Sequence, residues 1–161
     1  MLNEDKIALA AENFNKAIEH QVKGELNRAI KFYSDSIEIF PTALSHVYLG
    51  AAYSLQGNYE KAIQECEIAL SIEPKLSIAL NNIGNYFINL GKNKEAIPWF
   101  EKVIKSEKFD MKFKACYNLG KIYENMWELV PAIYYYKLAL SYFPEYEQAQ
   151  NSLLRLIALL N

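Results

Sequence analysis

The sequence is poor in the residues that build catalytic and metal sites. Its 161 residues include only two cysteines and two histidines, and these four are too far apart to form a zinc-ligand motif. A Gly-rich phosphate loop, a His-Glu metal motif and a nucleophile elbow are all missing from the sequence. We therefore expect no enzymatic activity, no cofactor and no metal.

The sequence also lacks an excess of charge and a long hydrophobic run. Its 17 basic and 19 acidic residues give a net charge of −2, so a general affinity for nucleic acid is not expected. No run approaches the roughly 20 apolar residues of a membrane span. The first residues, MLNEDKIALAAEN, are acidic and polar, unlike a signal peptide. We therefore expect a cytoplasmic protein without membrane insertion.

What the sequence does contain is a set of small and aromatic residues that recurs at a fixed spacing. Gly50, Tyr53, Gly57, Ala62, Cys66 and Ala69 recur 34 positions later as Gly84, Phe87, Gly91, Ala96, Phe100 and Val103. Four residues of the first set have counterparts 33 residues upstream, namely Gly24, Ala29, Tyr33 and Ser36, and Pro41 likewise precedes Pro74 by 33. Five residues of the second set have counterparts 36 residues downstream, namely Gly120, Tyr123, Ala132, Tyr136 and Ala139. Four copies at a period of this length indicate stacked helical repeats.

Each copy is predicted to be a helical hairpin. Apolar residues follow a 3.6-residue period over 48–55 and again over 59–70, on the two sides of a Gln-Gly-Asn turn. Gly57 is expected to end the first helix in a left-handed turn. A glycine inside a helix costs up to about 1 kcal/mol relative to alanine. Gly84 and its equivalents therefore predict that the neighbouring helix comes close, with a larger Tyr or Phe filling the gap beside the glycine.

These residues together carry a family resemblance. The pattern that resembles the tetratricopeptide repeat, over roughly residues 10–144, consists of Leu49-Gly50, Tyr53, Gly57, Ala62, Ala69 and Pro74 with their counterparts. The resemblance implies an all-α fold, a right-handed superhelical array of about four helix-turn-helix repeats with a C-terminal capping helix. It also implies that the first helices line a concave groove, which in this family usually binds a peptide or a partner protein.

The boundaries follow from the register of the pattern. We expect a single array over residues 1–161, with repeats at about 10–42, 43–76, 77–112 and 113–146 and a capping helix at about 147–160. The segment Lys102–Lys114 contains two extra residues and is predicted to be a longer loop between repeats. Trp127 replaces the turn glycine of the fourth repeat, where we expect it to fill the turn. Cys66 and Cys116 fall at core positions, which suits a reducing compartment.

The first helix, expected from about Asn3 to Val22, departs from the register. Asn13, Lys16 and His20 stand where the pattern has core residues. Terminal repeats are often atypical because they lack a neighbour. The alternative is an exposed apolar edge that docks a partner or a second copy of the chain. The residues of that edge are Phe14, Ile18, Leu44 and Val47.

Candidate binding residues lie on the first helices of the repeats. Asn81, Asn85 and Asn89 are spaced by four, so they lie on one side of a helix, and the register places that side in the groove. Carboxamides offer donors and acceptors without charge, which suits the backbone of an extended peptide. The candidate peptide-binding or partner-binding residues are Asn81, Asn85, Tyr117, Lys121, Asn118 and Val47. The alternative is that Asn82 and Asn118 are ordinary residues of the motif and that Asn89 helps to end the helix.

Some members of the family grip a C-terminal carboxylate with basic and amide side chains. The equivalent positions here begin with two apolar pairs, Phe14 with Ile18 and Val47 with Ala51. We therefore do not expect a carboxylate clamp.

Two functional hypotheses remain. In the first, the chain is an adaptor that binds a peptide segment of a partner protein in its concave groove. In the second, it is a structural subunit or assembly factor that self-associates or docks through apolar end surfaces. Leu154 and Leu159 on the capping helix would permit a homodimer through the terminal helices. A measurement of mass in solution separates the two hypotheses.

Overall fold

The computed structural model describes residues 2–107 and 111–160, which form nine helices and no strand. The helices are α1 (Asn3–Val22), α2 (Leu26–Ile39), α3 (Ala43–Leu55), α4 (Tyr59–Ile72), α5 (Ser77–Asn89), α6 (Asn93–Lys105), α7 (Lys112–Asn125), α8 (Leu129–Tyr142) and α9 (Glu147–Leu160). Each helix packs mainly against its neighbours along the chain. The expected all-α repeat array is therefore confirmed. The loop predicted after α6 includes residues 108–110, which lie outside the described residues.

Hydrogen bonds from backbone N–H groups to side chains cap the starts of three of these helices. The Thr42 side chain accepts a hydrogen bond from the Ser45 backbone N–H at 3.0 Å, and the Asn58 side chain accepts one from Lys61 N–H at 3.2 Å. At the start of α1, the Leu2 N–H donates to Asp5 Oδ2 at 3.1 Å. Each contact satisfies a backbone donor at a helix start that has no partner within the helix. The first helix has the expected bounds, from Asn3 to Val22.

Glycines inside the first helices allow the two helices of a hairpin to approach closely. A Cβ atom added to Gly84 would lie 2.6 Å from Cζ of Phe100, and one added to Gly120 would lie 2.5 Å from Cε1 of Tyr136. Both distances are too short for carbon atoms in contact. The packing predicted for these glycines is therefore confirmed, and the aromatic residue occupies the space that a side chain would need.

The capping helix α9 buries one side and exposes the other. Ala149, Ser152 and Leu156 are buried against the array. Leu154, which stands 34 residues after Gly120 in the repeat register, is 66% exposed. In α7 the equivalent side is covered by α8, whereas no described helix covers it in α9. An apolar surface therefore remains on the outer side of α9.

A polar network fixes α9 to the fourth hairpin. The Tyr136 hydroxyl donates a hydrogen bond to Glu124 Oε2 at 2.6 Å, and Arg155 donates to Oε1 of the same carboxylate at 2.6 Å. Burial and the Glu124 carboxylate both raise the pKa of Tyr136, so its hydroxyl stays protonated and continues to donate. One carboxylate on α7 thus connects α8 and α9.

Trp127 does not fill the turn between α7 and α8, so that expectation was wrong. Its backbone has φ of 60°, and its side chain is 82% exposed. Gly24, Gly57 and Gly91 occupy the corresponding turns with φ between 72° and 78°. The turn after α7 keeps the hydrogen bonds of the glycine turns, including Trp127 N–H to Glu124 O at 2.9 Å. The backbone therefore adopts the left-handed conformation although a large side chain is present.

We predict that Trp127→Gly stabilises the protein by about 1 kcal/mol. The left-handed conformation costs a residue with a Cβ roughly 1–2 kcal/mol, and glycine avoids that cost while no buried contact is lost. The melting temperature of a domain of this size should rise by roughly 2–4 °C, as measured by circular dichroism. Gly91→Ala at the equivalent turn is the matched control, and it should lower the melting temperature. A decrease for Trp127→Gly would show that the exposed indole stabilises the fold.

Candidate functional site

Four of the six predicted binding residues come together on α5 and α7. The Asn118 side-chain amide donates a hydrogen bond to Asn85 Oδ1 at 2.8 Å, which joins the first helices of the third and fourth repeats. Lys121 lies one turn further along α7 and is exposed. Its Nζ lies 5.8 Å from the ring centre of Tyr117, a geometry in which the cation and the aromatic face attract each other. These four residues, Asn85, Tyr117, Asn118 and Lys121, are called the polar patch below.

Tyr117 connects the polar patch to the C-terminal core. Its ring lies 5.7 Å from that of Tyr136 and meets the Tyr146 ring edge-on at 5.2 Å. Aromatic pairs of this kind hold their rings in defined positions. These contacts hold the Tyr117 ring in place, so the ring presents a fixed aromatic face to the Lys121 ammonium group.

Asn81 lies deeper in the structure than its place in the register predicts. It is 4% exposed, and its Oδ1 atom has no hydrogen-bond partner among the described residues. The same holds for the hydroxyl of Ser77, one helical turn earlier on α5. A buried polar atom without a partner costs roughly 1–3 kcal/mol. Two buried polar atoms without partners therefore lie on α5, one and two helical turns before Asn85.

Val47 does not belong to the surface, so this predicted site residue is corrected. It is 2% exposed and packs in the core between the second and third repeats, together with Ala79 and Ile83 of α5. A branched apolar side chain at this position is covered by the neighbouring first helix. Asn89, by contrast, is exposed and stands at the end of α5.

The N-terminal apolar edge is partly closed. Phe14 meets the rings of Tyr33 and Tyr48 edge-on at 5.4 Å and 5.0 Å, so much of its surface is used inside the array. Leu44 remains exposed. Phe14 and Leu44 contribute to the lining of a cavity of about 230 Å³ that also contacts α2. This end of the array offers a small apolar recess.

A larger cavity lies between the second helices α4 and α6 and was not predicted from the sequence. Its volume is about 670 Å³, and its apolar lining includes Leu70, Leu80 and Trp99. The depth of such a cavity depends on the gap between helices of different repeats, which the repeat pattern does not encode. The sequence feature that could have indicated this cavity is Trp99, the largest side chain at its repeat position. The other copies have Phe32, Glu65 and Tyr135 there.

Among the residues that the structure describes, the ionisable side chains of the interior include one close His–Glu pair and two separate thiols. His46 on α3 lies 2.7 Å from Glu65 on α4, measured from Nδ1 to Oε2. Burial raises the pKa of both Cys66 and Cys116 to about 12. Over residues 2–107 and 111–160, no group of three or more His, Cys, Asp or Glu side chains is placed to hold a metal ion. Within the same ranges, no helix is long and apolar enough to cross a membrane.

Comparison with known proteins identifies the repeats in the centre of the chain. Two tetratricopeptide repeat models match residues 43–76 and 78–110. The heat-shock protein cognate co-chaperone sgt12 of Aspergillus fumigatus is 35% identical over 97 residues, which cover 54% of this chain and 28% of that protein. The small glutamine-rich tetratricopeptide repeat-containing protein 2 of Saccharomyces cerevisiae is 30% identical over 94 residues, covering 58% and 26%. The chain thus spans about a quarter of the length of these relatives.

Solved structures share the architecture over most of the chain. The structure of pilF from Pseudomonas aeruginosa superposes with a TM-score of 0.86 at 17% identity, covering 96% of this chain and 70% of that one. The second TPR domain of Spaghetti (RPAP3), bound to the HSP90 peptide SRMEEVD, gives a TM-score of 0.58 at 27% identity, covering 63% and 94%. The repeat-model matches, the relatives and the stacked hairpins agree that this chain contains tetratricopeptide repeats.

Proposed function

We propose that this chain is an adaptor that binds a peptide segment of a partner protein across α5 and α7. The observation that carries the proposal is the polar patch, in which Asn85 and Asn118 join two first helices beside the exposed Lys121 ammonium. The side-chain Oδ1 atom of Asn81, one turn before Asn85 on α5, is buried and unpaired, and a ligand N–H that reached it would remove that cost. In this proposal the protein is not an enzyme, acts in the cytoplasm and binds neither nucleic acid nor membranes.

The relatives support a protein or peptide as the ligand. Two of them are named as co-chaperones or tetratricopeptide repeat proteins, and a structural neighbour was solved with a bound HSP90 peptide. Asparagine side chains can donate to and accept from a peptide backbone at the same time. The single Lys121 ammonium adds an attraction for one acidic group. The partner we propose therefore presents an extended segment with an acidic side chain near one end.

The groove positions favour recognition of an internal segment rather than a free C-terminus. Lys121 is the only basic residue among the eight equivalent positions: Phe14, Ile18, Val47, Ala51, Asn81, Asn85, Tyr117 and Lys121. A carboxylate is usually gripped by several charge-assisted hydrogen bonds. Peptides with a free or an amidated C-terminus should therefore bind alike. A tenfold or greater loss on amidation would instead establish a carboxylate clamp.

We predict that Asn85→Ala combined with Lys121→Ala weakens peptide binding by tenfold to a hundredfold. Each lost interfacial hydrogen bond costs about 1–3 kcal/mol when its partner is left unpaired. Peptides selected from a displayed random library on the wild-type protein supply the ligands, and calorimetry gives their Kd. Equal affinity of the double variant for all selected peptides would remove the polar patch from the binding surface.

The matched control for this experiment lies on the second helices. Gln64→Ala with Lys137→Ala removes one amide and one ammonium from exposed positions of α4 and α8 and should leave the Kd unchanged. Asn85 also accepts the hydrogen bond from Asn118, a contact that the sequence alone did not predict. Asn85→Ala should therefore cost about 1 kcal/mol of stability, so Kd is measured well below the melting temperature of the double variant.

The uncovered side of α9 supports a second candidate, assembly through the end of the array. Leu154, Ile157 and Leu160 are exposed there, and apolar patches of this kind often mark contact surfaces. A homodimer that is stable on dilution, and that Leu154→Glu converts to a monomer, would establish this function. A monomer at all concentrations favours the adaptor.

A further inference from the structure

The cavity between α4 and α6 lies mainly on the second helices of the hairpins, whereas the polar patch lies on the first helices α5 and α7. Its walls come from α4, from the connection to α5, and from α6. Leu80 of α5 is buried and forms part of its floor together with Leu70 and Trp99. Neither Asn85 nor Lys121 contributes to this lining. An occupant of the cavity would therefore leave the polar patch free.

The size and lining of the cavity suit a bulky apolar side chain. Its volume of about 670 Å³ falls within the range of roughly 300–1,000 Å³ found for ligand sites. Aromatic and aliphatic residues at the base of such a recess usually supply most of the binding energy at a protein contact. Trp99 packs against two cores, one shared by the second and third repeats and one shared by the third and fourth, so it forms a rigid wall.

The charges at the edge of the cavity favour an acidic partner. Lys75, Lys102 and Lys105 line it, against the two carboxylates of Glu67 and Glu107. The Lys102 ammonium lies 4.1 Å from the ring centre of Trp99, so the cation stands directly beside the apolar wall. Lys105 has a long ion pair with Glu101 at 3.9 Å, whereas no described carboxylate pairs with Lys102. Carboxylates that flank an apolar anchor would therefore find cations within reach.

From these observations we infer that the cavity between α4 and α6 is a second docking site, which takes an acidic segment of a partner protein with one bulky apolar anchor. The anchor packs on Leu70, Leu80 and Trp99, and acidic residues on either side of it pair with Lys75 and Lys102. The two sites would allow one chain to hold two different segments at the same time.

The experiment uses Trp99 as its own reporter. The chain has two tryptophans, and Trp127→Phe removes the exposed one and leaves Trp99 as the single indole. The probe is the peptide acetyl-Glu-Asp-Leu-Phe-Asp-Glu-amide, titrated into this variant of the full chain at low salt. We expect a saturable change in the emission of Trp99. The absence of a saturable change would overturn the inference.

Three comparisons separate the anchor, the charge and the location. A peptide with Gly-Ser in place of Leu-Phe and one with lysine in place of every acidic residue should both bind at least about tenfold more weakly. Lys75→Glu with Lys102→Glu should weaken the acidic peptide by a similar factor. The charge-matched pair Lys23→Glu with Lys137→Glu should not, because both residues lie outside the cavity. If the two pairs of substitutions weakened binding equally, the attraction would depend only on the net charge of the protein, and the inference of a docking site in this cavity would be wrong.

The inference and the proposed function can fail separately. The variant Asn85→Ala with Lys121→Ala should bind the acidic peptide as the wild type does. If the acidic peptide instead lost its affinity in this variant, the peptide would be binding at the polar patch, and the inferred second site would be wrong.

Discussion

Gly84→Leu should lower the free energy of unfolding by about 3 kcal/mol, at the upper end of what overpacking a core usually costs. A Cβ atom at Gly84 would lie 2.6 Å from the end of the Phe100 ring and 2.7 Å from its Cε1 atom. Phe100 lies on α6 and is fully buried in the core formed by α5, α6 and α7, so the ring has no free space into which it can turn. Denaturant titration measures the loss.

A double-mutant cycle with Phe100→Ala tests the cause of this loss. Phe100→Ala alone should cost about 3–5 kcal/mol because it leaves a cavity. In that background Gly84→Leu should cost much less, since the leucine then fills the space that the ring has left. Gly57→Leu is a useful comparison, because a Cβ there meets nothing within 4 Å and the cost is one of backbone conformation alone. Additive costs for Gly84 and Phe100 would mean that the two residues do not share one space.

The hairpins could be predicted because their recurring residues encode distances. Gly84 and Gly120 are needed because another helix passes close to them. The rings of Phe100 and Tyr136 occupy the space beside these glycines. Glycines at the ends of the first helices record a backbone conformation that other residues rarely adopt. Such positions constrain the structure locally, so the pattern was sufficient to predict the helices of residues 2–107 and 111–160 and their order.

The surface was harder to predict, because its exposure depends on neighbouring repeats. The register correctly placed Val47 on α3 and Asn81 on α5, but it did not show how deeply the two side chains are buried. The cavity at Trp99 is a gap between helices of two repeats, and no residue pattern within one repeat fixes its size. The prediction for Trp127 was wrong for a local reason. Tryptophan is unusual at a turn position with positive φ, and this irregularity predicted a packing role, whereas the side chain is exposed.

Both thiols of the folded protein should react with a thiol reagent at least about a thousandfold more slowly than those of the unfolded chain. Burial raises the pKa of Cys66 and of Cys116 from 9.0 to about 12, and each unit lowers the thiolate fraction about tenfold near neutral pH. Both sulfurs are also fully buried, so the reagent must wait for an opening of the array. The rates are measured at pH 8 with dithiobis(nitrobenzoic acid), with and without guanidinium.

The same shift has a consequence for stability at high pH. The folded-state pKa of each thiol lies above its unfolded-state value, so the folded chain holds these protons more tightly. The stability that this protonation contributes is complete below about pH 9 and is lost as the pH rises towards 12. The free energy of unfolding should therefore fall over that interval. Cys66→Ala with Cys116→Ala should show a smaller decline, since tyrosines such as Tyr33, whose pKa burial raises to about 12, contribute the rest.

The two thiols should also react at different rates, because they report on different parts of the array. Cys66 packs in the core shared by the second and third repeats, whereas Cys116 packs against Ala139 and Ala149, next to the capping helix. Each repeat of a solenoid is stabilised mainly by its neighbours, so openings near an end cost less free energy than openings in the centre. In the single-thiol variants Cys66→Ala and Cys116→Ala, the thiol of Cys116 should therefore react faster. The reverse order would mean that the network of Glu124, Tyr136 and Arg155 makes the C-terminal end more stable than the central repeats.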